Sequence, residues 1–296
     1  MKRQYPDWQG PRNRPLEAVR RHLTRVFARA GVFAAGVGLL AAGMASPCCA
    51  QSKSPADSIA EYRKMLADDN PAELFEAKGE ELWKKARGPK NISLEACDLG
   101  KGPGQVAGAF VSLPRYFADT GRVQDLESRL LTCMQVLQGF DAEQIAATPF
   151  GKAEQVSLAS LVAWIAAQSR GLHFDVPQGR TEERRMYELG KQIFFYRAGP
   201  YDFACATCHG DDGKRIRLQE LPRLTANPGD GVGFAAWPAY RLSTGELWGM
   251  QRRINDCFRQ QRFPYPGFGS EVTIALGVYM GVNARGAESI APALKR

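Results

Sequence analysis

Cys205-Ala206-Thr207-Cys208-His209 carries the clearest chemistry in the chain. Two cysteines separated by two residues, with a histidine directly after, form the attachment pattern of a c-type haem. Each thiol adds to one vinyl group of the porphyrin, and the histidine binds iron from one face. The same spacing would also serve a redox dithiol or half of a zinc site. A zinc site needs a second ligand pair, and the only other histidines are His22 and His173. One covalently attached haem c is therefore the expected cofactor. Methionine is a common partner for such a histidine, which makes Met250 and Met280 candidate distal ligands. His173 reads as a surface residue in a linker.

The elements that position these residues read as helices. Asn70-Pro71 followed by Glu73 is a helix start leading into Leu74, Leu82 and Trp83. Apolar residues recur at helical spacing over 122–137 and 154–169. In the second half, helices are expected at 181–197, around Leu247–Phe258, and at 271–284. Few stretches alternate as strands do. The expected fold is all-α: two tandem cytochrome c-like domains, residues 51–172 and 173–296, with haem only in the second.

An internal repeat supports two halves. A shift of 111 brings Gly79 onto Gly190, Gly88-Pro89 onto Gly199-Pro200, Cys97 onto Cys208 and Gly102 onto Gly213. A shift of 124 brings Pro114 onto Pro238, Tyr116 onto Tyr240, Thr120-Gly121 onto Thr244-Gly245, Arg129 onto Arg253 and Cys133 onto Cys257. The identities are sparse, but they are rare residue types in one order.

Composition bounds the remaining choices. The 296 residues are 44% hydrophobic and 24% charged, an ordinary globular balance. The pI is about 9.2. Residues 1–50 hold eight Lys/Arg against two acids, so +6 of the net +8 sits there and the rest of the chain carries only +2. That distribution gives no nucleic-acid footprint. Residues 1–50 read as a secretory signal: a basic start, an uncharged run from Ala30, and small residues at Cys48-Cys49-Ala50. The competing reading is an uncleaved anchor. With cleavage near Ala50, the mature chain is expected in the periplasm and off the membrane. Export agrees with the haem motif, because bacterial c-type haem is attached outside the cytoplasm.

Of seven cysteines, Cys48 and Cys49 leave with the signal, and Cys205 and Cys208 go to haem. Cys97, Cys133 and Cys257 remain. In the repeat, Leu94 stands where Cys205 does and Asp98 where His209 does, so the first half cannot hold haem this way. Cys97 and Cys133 could then meet in a disulfide, closing a loop worth roughly 4 kcal/mol in the chain-entropy model. Two buried free thiols are the alternative. Cys257 is left over. If a disulfide replaces a haem, its counterpart belongs on the far side of the remaining haem, which makes Cys257 a candidate distal ligand. Arg252, Arg253, Arg259 and Arg262 surround it, with Arg253 one helical turn before it. Cations favour a thiolate and attract anions. The competing reading is a solvated basic face beside an inert cysteine.

With these residues in hand, the chain resembles the SoxA family, the larger subunits of the SoxAX cytochromes of bacterial sulfur oxidation. The resemblance rests on Cys205–His209, on 97–104 (CDLGKGPG), on 113–121 (LPRYFADTG), on Asp125–Arg129 and on Arg253–Cys257. Leu94 and Asp98 depart from the two-haem members, which implies the single-haem type with a Cys97–Cys133 disulfide in place of the first haem. It also implies an L-cysteine S-thiosulfotransferase. Such enzymes join thiosulfate oxidatively to a cysteine of the SoxYZ carrier and pass two electrons to a c-type cytochrome. Cys257 would be haem ligand and catalytic cysteine, Arg253 a substrate-holding cation, and His209 the opposite ligand. A SoxX-like subunit would complete a heterodimer, its haem storing the second electron. Two rival readings are a plain electron-transfer cytochrome with His209 and Met250 or Met280 as ligands, and a docking subunit whose partner does the chemistry.

Overall fold

The computed structural model describes Glu61, Met65 and residues 69–216, 219–225 and 232–295. The signal expected over 1–50 lies outside the described residues. Lys53–Arg296 form one compact unit, and the boundary expected at 172/173 falls inside it. Among the described residues no helix is long and apolar enough to cross a membrane.

Two helix pairs frame the unit. Helix α1 (Ala72–Lys84) packs on α4 (Ala153–Ala167), and α5 (Thr181–Phe195) packs on α9 (Glu271–Asn283). Both crossings depend on a glycine. A Cβ on Gly79 would lie 2.1 Å from the Ser160 carbonyl oxygen, and one on Gly190 would lie 2.0 Å from that of Ala275. No larger side chain fits at either backbone approach. Aromatic rings fill in around the contacts: Trp83 against Trp164, and Tyr187 and Phe194 against Tyr279.

Local chemistry starts several of the helices. Asn70 Oδ1 accepts from Ala72 N at 3.0 Å ahead of α1. Asp125 and Ser128 form a reciprocal capping box at α2 (Leu126–Cys133). Ser270 Oγ accepts from Thr273 N at α9. Helix α8 (Met250–Gln260) differs, because its N-cap is Gly249 and offers no side chain. Helix α2 runs on into a π-helical turn, Met134–Gln138. The short helices α3 (Ala142–Ala147), α6 (Cys205–His209) and α7 (Val232–Ala235) complete the set.

The all-α expectation is corrected. Seven short strands in three small sheets accompany the helices among the described residues, so the class is mixed α and β. β1 (Arg115–Phe117) pairs antiparallel with β2 (Arg122–Gln124), and β3 (Arg215–Ile216) with β4 (Gln219–Glu220). β5 (Ala239–Arg241) pairs antiparallel with β6 (Glu246–Trp248) and parallel with β7 (Ala293–Lys295). The expected helices over 122–137 and at Leu247 therefore begin later, at Leu126 and Met250. Three-residue strands are too short for a period of two to register, and Val123 falls into step with the helix that follows it.

Matched residues of the repeat carry matched local geometry. Tyr116 pairs with Val123 and Tyr240 with Leu247. Antiparallel bridges join Arg87 to Ile92 and Ala198 to Phe203. One apolar core gathers Leu82, Trp83, Leu94, Leu130 and Leu161; another gathers Phe174, Phe194, Phe234, Tyr279 and Met280.

Candidate functional site

Cys205, Cys208 and His209 lie on the single turn of α6. Ala204 N donates to Thr207 Oγ1 at 2.9 Å, which opens that turn. A strap over 222–225 then holds the histidine. Leu224 N donates to the His209 carbonyl, and Thr225 Oγ1 donates to that of Gly210. Asn283 of α9 anchors the strap by donating to Leu224 O. His209 Nδ1 lies 2.8 Å from Pro222 O. A carbonyl only accepts, so this bond places the proton on Nδ1 and leaves the Nε2 lone pair for a metal. Burial lowers the imidazole pKa, the Pro222 carbonyl opposes this, and the Arg253 charge lowers it further. A neutral, oriented imidazole is the form that binds iron.

Cys257 lies on α8, partly buried. Burial raises its pKa first; Arg253 and Arg241 pull it down, while Asp256 and Cys208 push it up. Cys205 is pushed up to about 12, by burial and then by Cys257. The charges of Cys257 and of the haem-motif thiols thus bear on one another. Two thiols on one helical turn fit attachment to a porphyrin, and the free Nε2 of the imidazole that follows fits ligation of its iron.

Arg253 shares the Cys257 face of α8. Its guanidinium lies 3.5 Å from Asp256 and 5.9 Å from the Trp237 ring. Two further cations stand nearby. Arg241 on β5 and Lys295 on β7 are direct partners in the parallel ladder. Lys295 also lies 5.9 Å from the Trp237 ring. Burial lowers its pKa, and the charges of Arg253 and Arg241 lower it further. Arg241 Nε is buried and finds no hydrogen-bond partner among the described residues. Three crowded cations, one with an unsatisfied donor, suit a small dianion.

The other arginines near Cys257 in sequence point elsewhere. Arg252 pairs with Glu246 and lies over Trp248. Arg259 is 73% exposed and holds Asp256 at 2.7 Å. Arg262 lies over the Tyr201 ring. Met250 packs against Trp237, Ala239 and Trp248, and Met280 lies in the core with Phe174 and Tyr279. His173 is exposed. Cys97 and Cys133 form a disulfide.

Arg241 and Lys295 escaped the sequence reading because parallel strand pairing brings them together. One signal was available. The repeat places Phe117 where Arg241 stands, so a charge replaces an aromatic ring beside the matched pair Arg129 and Arg253. A cavity of about 230 Å³ lies elsewhere, lined by Phe75, Glu127, Phe150, Arg252 and Phe268 among others, and none of the site residues above borders it.

The SoxA/TsdA cytochrome c domain family matches residues 78–174. The chain is 54% identical over 239 residues to the L-cysteine S-thiosulfotransferase subunit SoxA of Hydrogenophilus thermoluteolus, covering 81% of this chain and 88% of that one. It is 31% identical over 258 residues to a subunit of the same name from Hydrogenobacter thermophilus, covering 86% and 94%. Among solved structures, SoxXA from P. pantotrophus has the same fold, with a TM-score of 0.66 and 24% identity over 80% of this chain and 84% of that chain.

Proposed function

The chain belongs to the SoxA family of L-cysteine S-thiosulfotransferase subunits, and we propose that it is the thiosulfate-conjugating subunit of a periplasmic SoxAX cytochrome. The observation that carries the reading is Arg253 and Cys257 one turn apart on α8, with Arg241 and Lys295 paired on the adjoining strands and the charges of Arg253 and Arg241 acting on the Cys257 thiol. The reaction joins a carrier thiol to thiosulfate through a new sulfur–sulfur bond and releases one proton and two electrons, which pass to a c-type cytochrome.

Membership in a cytochrome c family implies haem c binding. Cys205 and Cys208 would be the attachment thiols, and His209 Nε2 and Cys257 Sγ would hold the iron. Bound there, the haem supplies a one-electron acceptor beside the reacting sulfur. Pro222 fixes the His209 tautomer and ring plane. Arg253, Arg241 and Lys295 draw the thiosulfate dianion to Cys257 and offset its charge. Trp237 is buried, with Arg253 and Lys295 both 5.9 Å from its ring. A soft thiolate at Cys257 can bind iron or attack sulfur. A second electron needs a second acceptor, and a SoxX-like cytochrome subunit fills that role. The carrier is a SoxYZ-like protein presenting a cysteine.

The test is thiosulfate- and carrier-dependent reduction of a c-type cytochrome by the reconstituted complex. Cys257→Ala should abolish turnover while the attached haem remains. Full turnover in that variant would overturn the assignment.

A further inference from the structure

Helix α8 carries both Arg253 and Cys257, yet its N-terminus has no cap of its own. The first N–H groups of a helix need acceptors, and Gly249 cannot provide one. The acceptor comes from the other half of the chain. Glu127, buried on α2, accepts from Gln251 N at 3.1 Å through Oε1. A Cβ on Gly249 would lie 2.2 Å from that same oxygen. The glycine therefore leaves the space that the carboxyl fills.

Further bonds make the junction specific. Gln251 Nε2 donates to Asp125 Oδ2 at 2.5 Å, and Gly269 N donates to Gln251 Oε1 at 3.1 Å. Asn255 Nδ2 donates to Gln251 O at 2.9 Å, one turn further along α8. Asp125 also caps α2 itself. The repeat pairs Asp125 with Gly249 and Glu127 with Gln251. The first helix keeps an acid at its N-cap, and the second borrows one from its neighbour. Burial, and then the Asp125 charge, push the Glu127 carboxyl up to about 8. A neutral acid still accepts through its carbonyl oxygen, which a glutamine amide copies.

We infer that Glu127 is a positioning residue for the reaction: by capping α8 from the first half, it fixes the helix that carries Arg253 and Cys257. The haem-less half thereby takes part in the chemistry. The inference rests on the transferase reading for its turnover readout alone.

The experiment compares Glu127→Gln, Glu127→Ala and the double variant Glu127→Ala/Gly249→Asp as haem-loaded complexes. Three readouts are taken: amide hydrogen exchange over residues 250–254, EPR of the ferric haem, and thiosulfate turnover. Glu127→Ala should speed exchange in that turn roughly tenfold. It should also split the low-spin EPR signal into two populations and slow turnover about tenfold or more. Glu127→Gln should match wild type in all three, and the double variant should recover all three by capping in cis. Unchanged exchange and spectra in Glu127→Ala would overturn the inference, as would a Gln variant that fails like Ala. If the Ala variant does not fold, the double variant decides: a folded protein with the wild-type spectrum supports the cap, and one with a disturbed spectrum overturns it. A wild type that shows the thiolate signal but no turnover would defeat the transferase reading, leaving exchange and spectra to decide the cap.

Discussion

The two halves use matched positions for opposite ends. Where the second half has Cys208 and Cys257, the first has Cys97 and Cys133, crosslinked and buried. Where the second has Cys205, the first has Leu94, fully buried in the core. Asp98 stands in the place of His209, and its carboxylate holds the loop by accepting from Gly100 N and Gly102 N. The arginines show the contrast most directly. Arg129 is 5% exposed, donates to Asp98 O at 2.6 Å and to Asp119 at 2.8 Å, and lies 4.1 Å from the centre of the Phe117 ring. Its counterpart Arg253 has a longer 3.5 Å pairing with an Asp256 that Arg259 also holds at 2.7 Å. Arg241 replaces the Phe117 ring with a second cation. One half neutralises its arginine, while the other gathers excess positive charge beside a thiol. The same local scaffold holds a crosslinked strut in one half and a free thiol beside uncompensated charge in the other.

That comparison can be broken at its strut. Replacing Cys97 and Cys133 together by serine should cost about 2–5 kcal/mol in thermal or denaturant unfolding. The ferric EPR spectrum of the second half should not change. A spectrum that changes along with stability would show that the halves do not divide their roles this way.

The reactive side is sharpened by Arg253→Met, which keeps the side-chain bulk and removes the charge. Thiosulfate turnover at subsaturating substrate should fall about a hundredfold, an effect of about 2.7 kcal/mol. Equal turnover in the variant would move anion binding elsewhere.

A smaller effect should follow from Arg241→Phe, which restores the first-half residue at that position. The thiosulfate KM should rise about tenfold with kcat little changed, because binding loses one cation among three. Turnover that collapses at saturating thiosulfate would instead place Arg241 in the chemical step.

A separate effect concerns pH. Glu127 titrates near 4.5 when unfolded and about 8 when folded. The folded state holds the extra proton between those values, so this group's contribution to stability falls as pH rises from 4.5 to 8. The charged neighbours are Asp125, which adds to the effect, and Glu246 and Arg252 across the adjoining cavity. Glu127→Gln should flatten that part of the stability–pH curve; an unchanged slope would contradict the assignment.

Much of the candidate site was legible in the chain. Cys205–His209 announces itself, because attachment requires that spacing. Arg253 and Cys257 share a face by the helical period alone. The long helices Ala153–Ala167, Thr181–Phe195 and Glu271–Asn283 fall close to their expected spans, since sustained apolar runs are the strongest local signal. The strands were not legible, because three residues carry too little pattern. The four-arginine cluster misled for a related reason. Arg252 and Arg259 are near Cys257 in sequence, but the helix turns them onto other partners, Glu246 and Asp256. Arg241 and Lys295 reach the site through a pairing between strands far apart in the chain. The cap from Glu127 to α8 is a tertiary contact of the same kind, marked in sequence only by a glycine where the repeat expects an acid.

Low-temperature EPR of the ferric, haem-loaded protein and of Cys257→Met tests the central claim, that Cys257 stands opposite His209. The expected result is a low-spin thiolate-type signal in the wild type that disappears in the variant. A histidine–methionine signal present in both would contradict the account and return the chain to an electron carrier.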